Sequence, residues 1–153
     1  MKAIIVSGTP GTGKTRVAKK IAKEIRGRYV DVNKVVQKYR LAEGCDKKRK
    51  TKVVDIKKLN RVLTKMIREI KKTLVIDSHL SHYLPKEHVR MAVICKCEVK
   101  ELRKRLKKRG YGKEKIEENV EAEIMDVCLN EARELGHKIK IVKPSKKSSS
   151  NRA

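Results

Sequence analysis

Eight residues near the amino terminus constrain this chain more than any others. Gly8-Thr9-Pro10-Gly11-Thr12-Gly13-Lys14-Thr15 follows directly on the apolar run Ala3-Ile4-Ile5-Val6. That run predicts a buried strand, and Val17, Ala18, Ile21, Ala22 and Ile25 then recur at helical spacing, so the glycines join a strand to a helix N-terminus. Such a loop lets successive backbone N–H groups curl round an anion, while the helix end adds a partial positive charge and Lys14 a full one. The Thr15 hydroxyl is of the right type and position to ligate Mg²⁺. Residues 8–15 therefore predict binding of a nucleoside triphosphate.

Apolar runs at 3–6, 29–30, 73–76, 91–95 and 139–142 alternate with helical patterns, which predicts an α/β fold with a five-stranded parallel sheet. The strongest helical pattern places Leu59, Val62, Leu63, Met66, Ile67 and Ile70 on one face, with Asp55 as N-cap. Val99, Leu102 and Leu106 predict a helix ending at Gly110. Ile116, Val120, Ile124 and Val127 predict another that reaches Gly136. At 153 residues this is one domain, residues 1–143, followed by a Ser/Lys tail over 144–153 whose composition predicts disorder. Phe and Trp are absent, so the core is aliphatic.

Asp77 ends the third predicted strand, where a phosphate-binding loop needs an acid to hold Mg²⁺ opposite Thr15. His79, two residues on, is placed to orient a water or carry a proton, whereas His82, His88 and His137 read as ordinary surface or loop residues. Arg105 and Arg109, four apart on one helix face, read as a pair gripping the transferring phosphoryl group, or as part of a solvated basic face with Lys104 and Lys108. Residues 31–54 form an insertion whose basic centre, 44–52, reads as a mobile flap for a phosphate acceptor or as an RNA-backbone contact.

Lys and Arg total 42 against 18 Asp and Glu, a net charge of +24 that points to an anionic macromolecular partner. Cys45, Cys95, Cys97 and Cys128 show no metal-ligand spacing and read as small hydrophobes in a reducing compartment. No apolar run is long enough to span a bilayer, so a soluble, cytoplasmic chain with no membrane contact is expected.

A GTPase needs an [NT]-K-x-D base reader, and Asn33-Lys34-Val35-Val36 lacks the Asp. With that class and the ABC ATPases excluded, small P-loop kinases remain. Over residues 1–143 the chain resembles the adenylate kinase 6 (CINAP) family, through the loop at 8–15, Asp77-x-His79, and Arg109-Gly110-Tyr111 leading into Lys115-Ile116-x-x-Asn119-Val120-x-x-Glu123-Ile124.

The resemblance implies a three-layer P-loop nucleoside monophosphate kinase fold with a short lid. It implies ATP with Mg²⁺ as donor, AMP as acceptor, ATPase activity, and action in small ribosomal subunit maturation beside a ribosomal protein and rRNA. It assigns Gly11, Gly13, Lys14, Thr15 and Arg16 to the ATP site, residues 31–54 to the AMP flap, residues 108–118 to the lid with Arg109 as its arginine, and Asp77 and His79 to metal holding and hydrolysis. The chain departs from the pattern at Gln37, where related kinases carry an arginine, and at its tail, where they continue into a C-terminal helix. A monomer or weak oligomer is expected. Two other readings stay open: an ATP-switched assembly factor, and a kinase for a non-phosphorylated acceptor of the shikimate or nucleoside type.

Overall fold

A computed structural model describes residues 2–46 and 51–144. The sheet strands are β1 (Ala3–Ser7), β2 (Arg28–Asp31), β5 (Leu74–Asp77), β6 (Val89–Cys95) and β7 (Ile139–Val142). They lie in the order β2-β5-β1-β6-β7, all parallel. All five predicted strands are present. Chain order reverses across β1, and in such sheets ligands bind beyond the carboxyl ends of the strands beside that reversal. Ser7, Asp31, Asp77 and Cys95 are the residues at those ends.

Strand alternation divides the core. Ala3, Ile5, Ile76, Ala92 and Ile94 face helices α3 (Ile56–Glu69) and α6 (Val127–Glu134), while Ile4, Val6, Val75 and Val93 face Ala18 and Ala22 of α1 (Lys14–Glu24). Helix α3 forms as its pattern predicts: Leu59, Leu63 and Ile67 are buried, and the Asp55 carboxylate accepts from the Lys58 backbone N–H at 3.2 Å. A third, smaller cluster of Leu102, Leu106 and Val120 joins α4 (Val99–Lys108) to α5 (Lys113–Ile124).

Two regions differ from the sequence reading. The insertion at 31–54, for which no elements were predicted, is α2 (Val32–Lys38) followed by an antiparallel hairpin of β3 (Ala42–Asp46) and β4 (Thr51–Val54). The tip of its basic centre, Lys47-Lys48-Arg49-Lys50, lies outside the described residues, as does the tail over 145–153. The single helix expected to run from Ile116 to Gly136 is two, because Asp126 takes a left-handed conformation (φ 53°) and its carboxylate pairs with the Lys96 ammonium. The left-handed residue turns the chain between α5 and α6, and the ion pair ties it to the end of β6. No helix among the described residues is long and apolar enough to cross a membrane.

Candidate active site

The loop from Gly8 to Gly13 is shaped to present bare backbone donors. Gly8 has φ 147°, and a Cβ there would stand 2.6 Å from the carbonyl oxygen of Cys95, so the backbone approaches β6 more closely than any side chain permits. Gly13 caps α1 in a left-handed conformation, with no side-chain cap and no acidic residue in the first turn. The first N–H groups of α1 therefore stay unneutralised and point into the cleft mouth, where an anion satisfies them.

Lys14 reaches across this loop, its ammonium donating to the Thr9 carbonyl at 3.2 Å. Burial lowers its pKa and nearby Asp77 partly offsets that, so the ammonium is poorly hydrated and sits where a phosphate oxygen replaces water. Opposite it, the Thr15 hydroxyl donates to Asp77 Oδ2 at 2.7 Å. The Tyr29 hydroxyl donates to the same oxygen, also at 2.7 Å. Asp77 is buried, and this pair of hydroxyls holds its carboxylate in one orientation while leaving Oδ1 unused by either. A hydroxyl and a carboxylate at hydrogen-bond distance are the hard oxygen donors that suit Mg²⁺.

These groups line one cleft of about 700 Å³. Its donor side carries Gly11, Gly13, Lys14, Thr15 and Arg16; its floor carries the buried Asp77; Arg109 and Tyr111 close it from α4 and the turn after it. Tyr29, Asp31, Asn33 and Lys34 form the remaining wall, so α2 supplies a cation there while Gln37 does not line the cleft. His79 stands at the cleft mouth, and desolvation by its surroundings, with the Lys14 charge second, pushes its imidazole down to about 4. It is neutral at pH 7, as a group that accepts a proton from water must be.

Arg105 is not part of that lining. Its guanidinium donates to the Gly11 carbonyl at 3.1 Å and pairs with Glu101 at 3.6 Å, which braces the loop from behind. The helical spacing that paired it with Arg109 holds along α4, but Arg109 is the C-cap residue and leaves the helix face at Gly110.

Two supports were given no role by the sequence reading. Glu123, buried on α5, accepts from the Thr9 hydroxyl at 2.9 Å and from the Cys97 N–H at 2.8 Å, and pairs with Lys96 at 3.1 Å. It ties the phosphate-binding loop to the α4–α5 pair. Glu123→Ala is expected to cost about 2–3 kcal/mol, because Thr9 and the Cys97 N–H lose their acceptor while Lys96 keeps Asp126. Urea unfolding checks this, and a loss below about 1 kcal/mol would contradict it.

The other support is a sealed relay. His82 and His137, which read from the sequence as ordinary surface or loop residues, are buried, at 1% and 8% exposure. The Glu131 carboxylate, 3.1 Å from His82 Nε2, can only accept, so Nε2 carries the proton and Nδ1 accepts from the Ser7 hydroxyl at 2.7 Å. Tyr83 donates to the other Glu131 oxygen at 2.8 Å, and His137 Nε2 donates to the His82 carbonyl at 2.7 Å. Ser7 is wholly buried, so this Ser-His-Glu order admits no substrate and instead locks the end of β1 to α6. Burial lowers the His82 pKa below 6.5, with Glu131 opposing. A depressed folded-state value means stability that is complete above the unfolded pKa and lost as pH falls below it. The urea midpoint is accordingly expected to fall between pH 7 and pH 5; a midpoint that rose over that interval would oppose this account.

The AAA-domain family model matches residues 4–126. The "Putative adenylate kinase" of Methanocaldococcus jannaschii is 35% identical over 130 residues, spanning 85% of this chain and 71% of that protein. The "Adenylate kinase isoenzyme 6 homolog" of Schizosaccharomyces pombe is 40% identical over 131 residues, spanning 86% of this chain and 74% of that protein. Among solved structures, the shikimate kinase of Acinetobacter baumannii in complex with shikimate aligns with a TM-score of 0.66 at 15% identity, over 99% of this chain and 88% of that one. At that identity the likeness speaks for the fold alone. Loop, strand-end acid and post-α4 arginine meet in one cleft on a shared fold, and with sequence identity of this extent the chain belongs to the adenylate kinase family that includes these archaeal proteins and the fission-yeast isoenzyme 6 homolog.

Proposed function

We propose that this chain is a nucleoside monophosphate kinase that moves the γ-phosphoryl group of ATP to AMP, giving two ADP, and that also hydrolyses ATP. The observation that carries the reading is the single cleft with an anion-binding helix end on one wall and Asn33 and Lys34 of α2 on the other. It is a two-sided site, fit for a donor and an anionic acceptor. In this reading Gly11, Gly13 and Arg16 seat the triphosphate, and Lys14 neutralises charge on its outer phosphates. Residues 31–54 are the acceptor flap, residues 108–118 the lid, and Arg109 grips the group in transfer. Thr15 and Asp77 would hold Mg²⁺, which on binding supplies charge neutralisation between the phosphates. Tyr29 keeps the Asp77 carboxylate turned toward that position. Transfer then rests on positioning and charge, with no covalent intermediate. His79, neutral beside the cleft, orients water for hydrolysis when no acceptor is seated.

A second reading draws on the charge of +24: the ATP cycle switches binding to rRNA or a small-subunit ribosomal protein in the cytoplasm, and transfer to AMP is incidental. Coupled ADP formation separates the two. Stimulation by AMP supports the kinase; stimulation by small-subunit ribonucleoprotein with AMP inert supports the switch. His79→Ala is expected to lower hydrolysis about tenfold or more while transfer to AMP falls less. Equal losses in both would remove the water-handling role.

A further inference from the structure

A second hollow lies outside the phosphate cleft, in the angle between α4 and α5. It encloses about 500 Å³. Tyr111 and Ile116, both half-buried against the Leu102, Leu106 and Val120 cluster, give it an apolar lining. Arg103, Lys104, Lys107 and Lys113 surround them with cations. Arg103 is paired with Glu117, but Lys104, Lys107 and Lys113 form no ion pair among the described residues. Three ammonium groups without an ion pair among the described residues thus ring an aromatic and aliphatic surface, beside the Arg103–Glu117 pair that completes the lining.

That combination selects a ligand that is flat, apolar on its faces and flanked by negative charge. The chain has four tyrosines. Tyr29 and Tyr83 are tied to carboxylates through their hydroxyls, and Tyr39 lies at the end of α2, away from this hollow. Tyr111 is the aromatic that the fold sets into a cationic hollow. Lys115, which does not line the hollow, holds its ammonium 4.1 Å from the Tyr111 ring centroid. A peptide of acidic residues alone would engage the lysines and leave Tyr111 and Ile116 without a partner. A duplex would engage the lysines too, but keeps its bases stacked inside.

We infer that the α4–α5 hollow is a binding site for a single-stranded nucleic acid, with one unstacked base against Tyr111 and Ile116 and the flanking phosphates on Lys104, Lys107 and Lys113. Base stacking on an aromatic, combined with a cationic track for the backbone, is how proteins hold single strands without reading their sequence. The inference gives the nucleic-acid contact of the switch reading a place on the surface and rests on that reading.

The test is fluorescence anisotropy with a labelled ten-nucleotide oligouridylate and with an abasic ribose-phosphate oligomer of the same length. The wild-type chain is expected to bind the oligouridylate about tenfold or more tightly than the abasic strand. Lys104→Glu/Lys107→Glu is expected to weaken oligouridylate binding at least about tenfold and to reduce the salt slope by about 1.4. A charge-matched control on α3, Arg61→Glu/Arg68→Glu, is expected to change it less than about threefold. Equal binding of the abasic strand overturns the base site, and equal loss in the α3 control overturns the location. A polyglutamate peptide that competes as well as the oligouridylate assigns the hollow to an acidic protein and also overturns it. If the wild-type chain binds neither strand, the nucleic-acid part of the switch reading fails with it; if binding persists unchanged in Lys104→Glu/Lys107→Glu, only this site fails.

Discussion

Lys14→Ala is expected to lower phosphoryl transfer by about 10³-fold, equivalent to about 4 kcal/mol of barrier, with a smaller rise in KM for ATP. The reason lies in where the ammonium sits. Lys14 is the first residue of α1, its side chain is half-buried across the loop, and desolvation already presses its pKa downward. A charge stripped of water acts on a developing phosphoryl charge through a low dielectric and needs no reorganisation when the charge appears. The cost to folding is small, since the side chain contributes one hydrogen bond, to the Thr9 carbonyl. Single-turnover transfer of the γ-phosphoryl from ATP measures the effect. A folded Lys14→Ala chain with a near-wild-type rate would refute the assignment of the cleft.

The second large effect is expected at Arg109, and its contrast with Arg105 makes it informative. Arg109→Ala should reduce kcat by about 10²–10³-fold with little change in stability, because its side chain is exposed and lines the cleft beside Tyr111. Arg105→Ala should instead cost about 1 kcal/mol of stability and reduce kcat by less than about tenfold, because what it loses is the bond to the Gly11 carbonyl and the pair with Glu101. Paired urea melts and steady-state kinetics read both. The reverse order, with Arg105 the larger catalytic loss, would mean that α4 rotates its other face into the cleft when nucleotide binds.

Much of this site was legible because its residues are local in the chain or mark strand ends. The loop at 8–15 announces itself by spacing. Asp77 is readable because a buried apolar strand that stops at an acid places that acid at the sheet's carboxyl edge. Arg109 is readable because Gly110 ends its helix. Arg105 lies outside the cleft lining for a definite reason: helical spacing says which residues share a face, and it is silent on what that face meets. Tyr29 and His82 carried no usable local signal, and Glu123 stood in a motif with no contact legible from it. The partners of Tyr29, Glu123 and His82, namely Asp77, Thr9 and Ser7, lie 48, 114 and 75 residues away. The buried state of His82 and His137 was hidden likewise, since each is covered by elements far off in the sequence and no period marks it.

The sequence by itself determined the five parallel strands, the helix at 56–69, the phosphate-binding loop and the acid that ends the strand at 74–77. Each follows from hydrophobic period, glycine spacing or a strand's last residue, all properties of short stretches. Only the tertiary structure decided which carboxylates hold the loop still, which arginine enters the cleft, and where the excess lysines gather around an aromatic surface. Those are long-range contacts, fixed by how the two sheet faces and the α4–α5 pair close on one another. The loop at 8–15 is therefore a local signal whose working shape depends on Glu123 beneath Thr9 and on Arg105 behind Gly11.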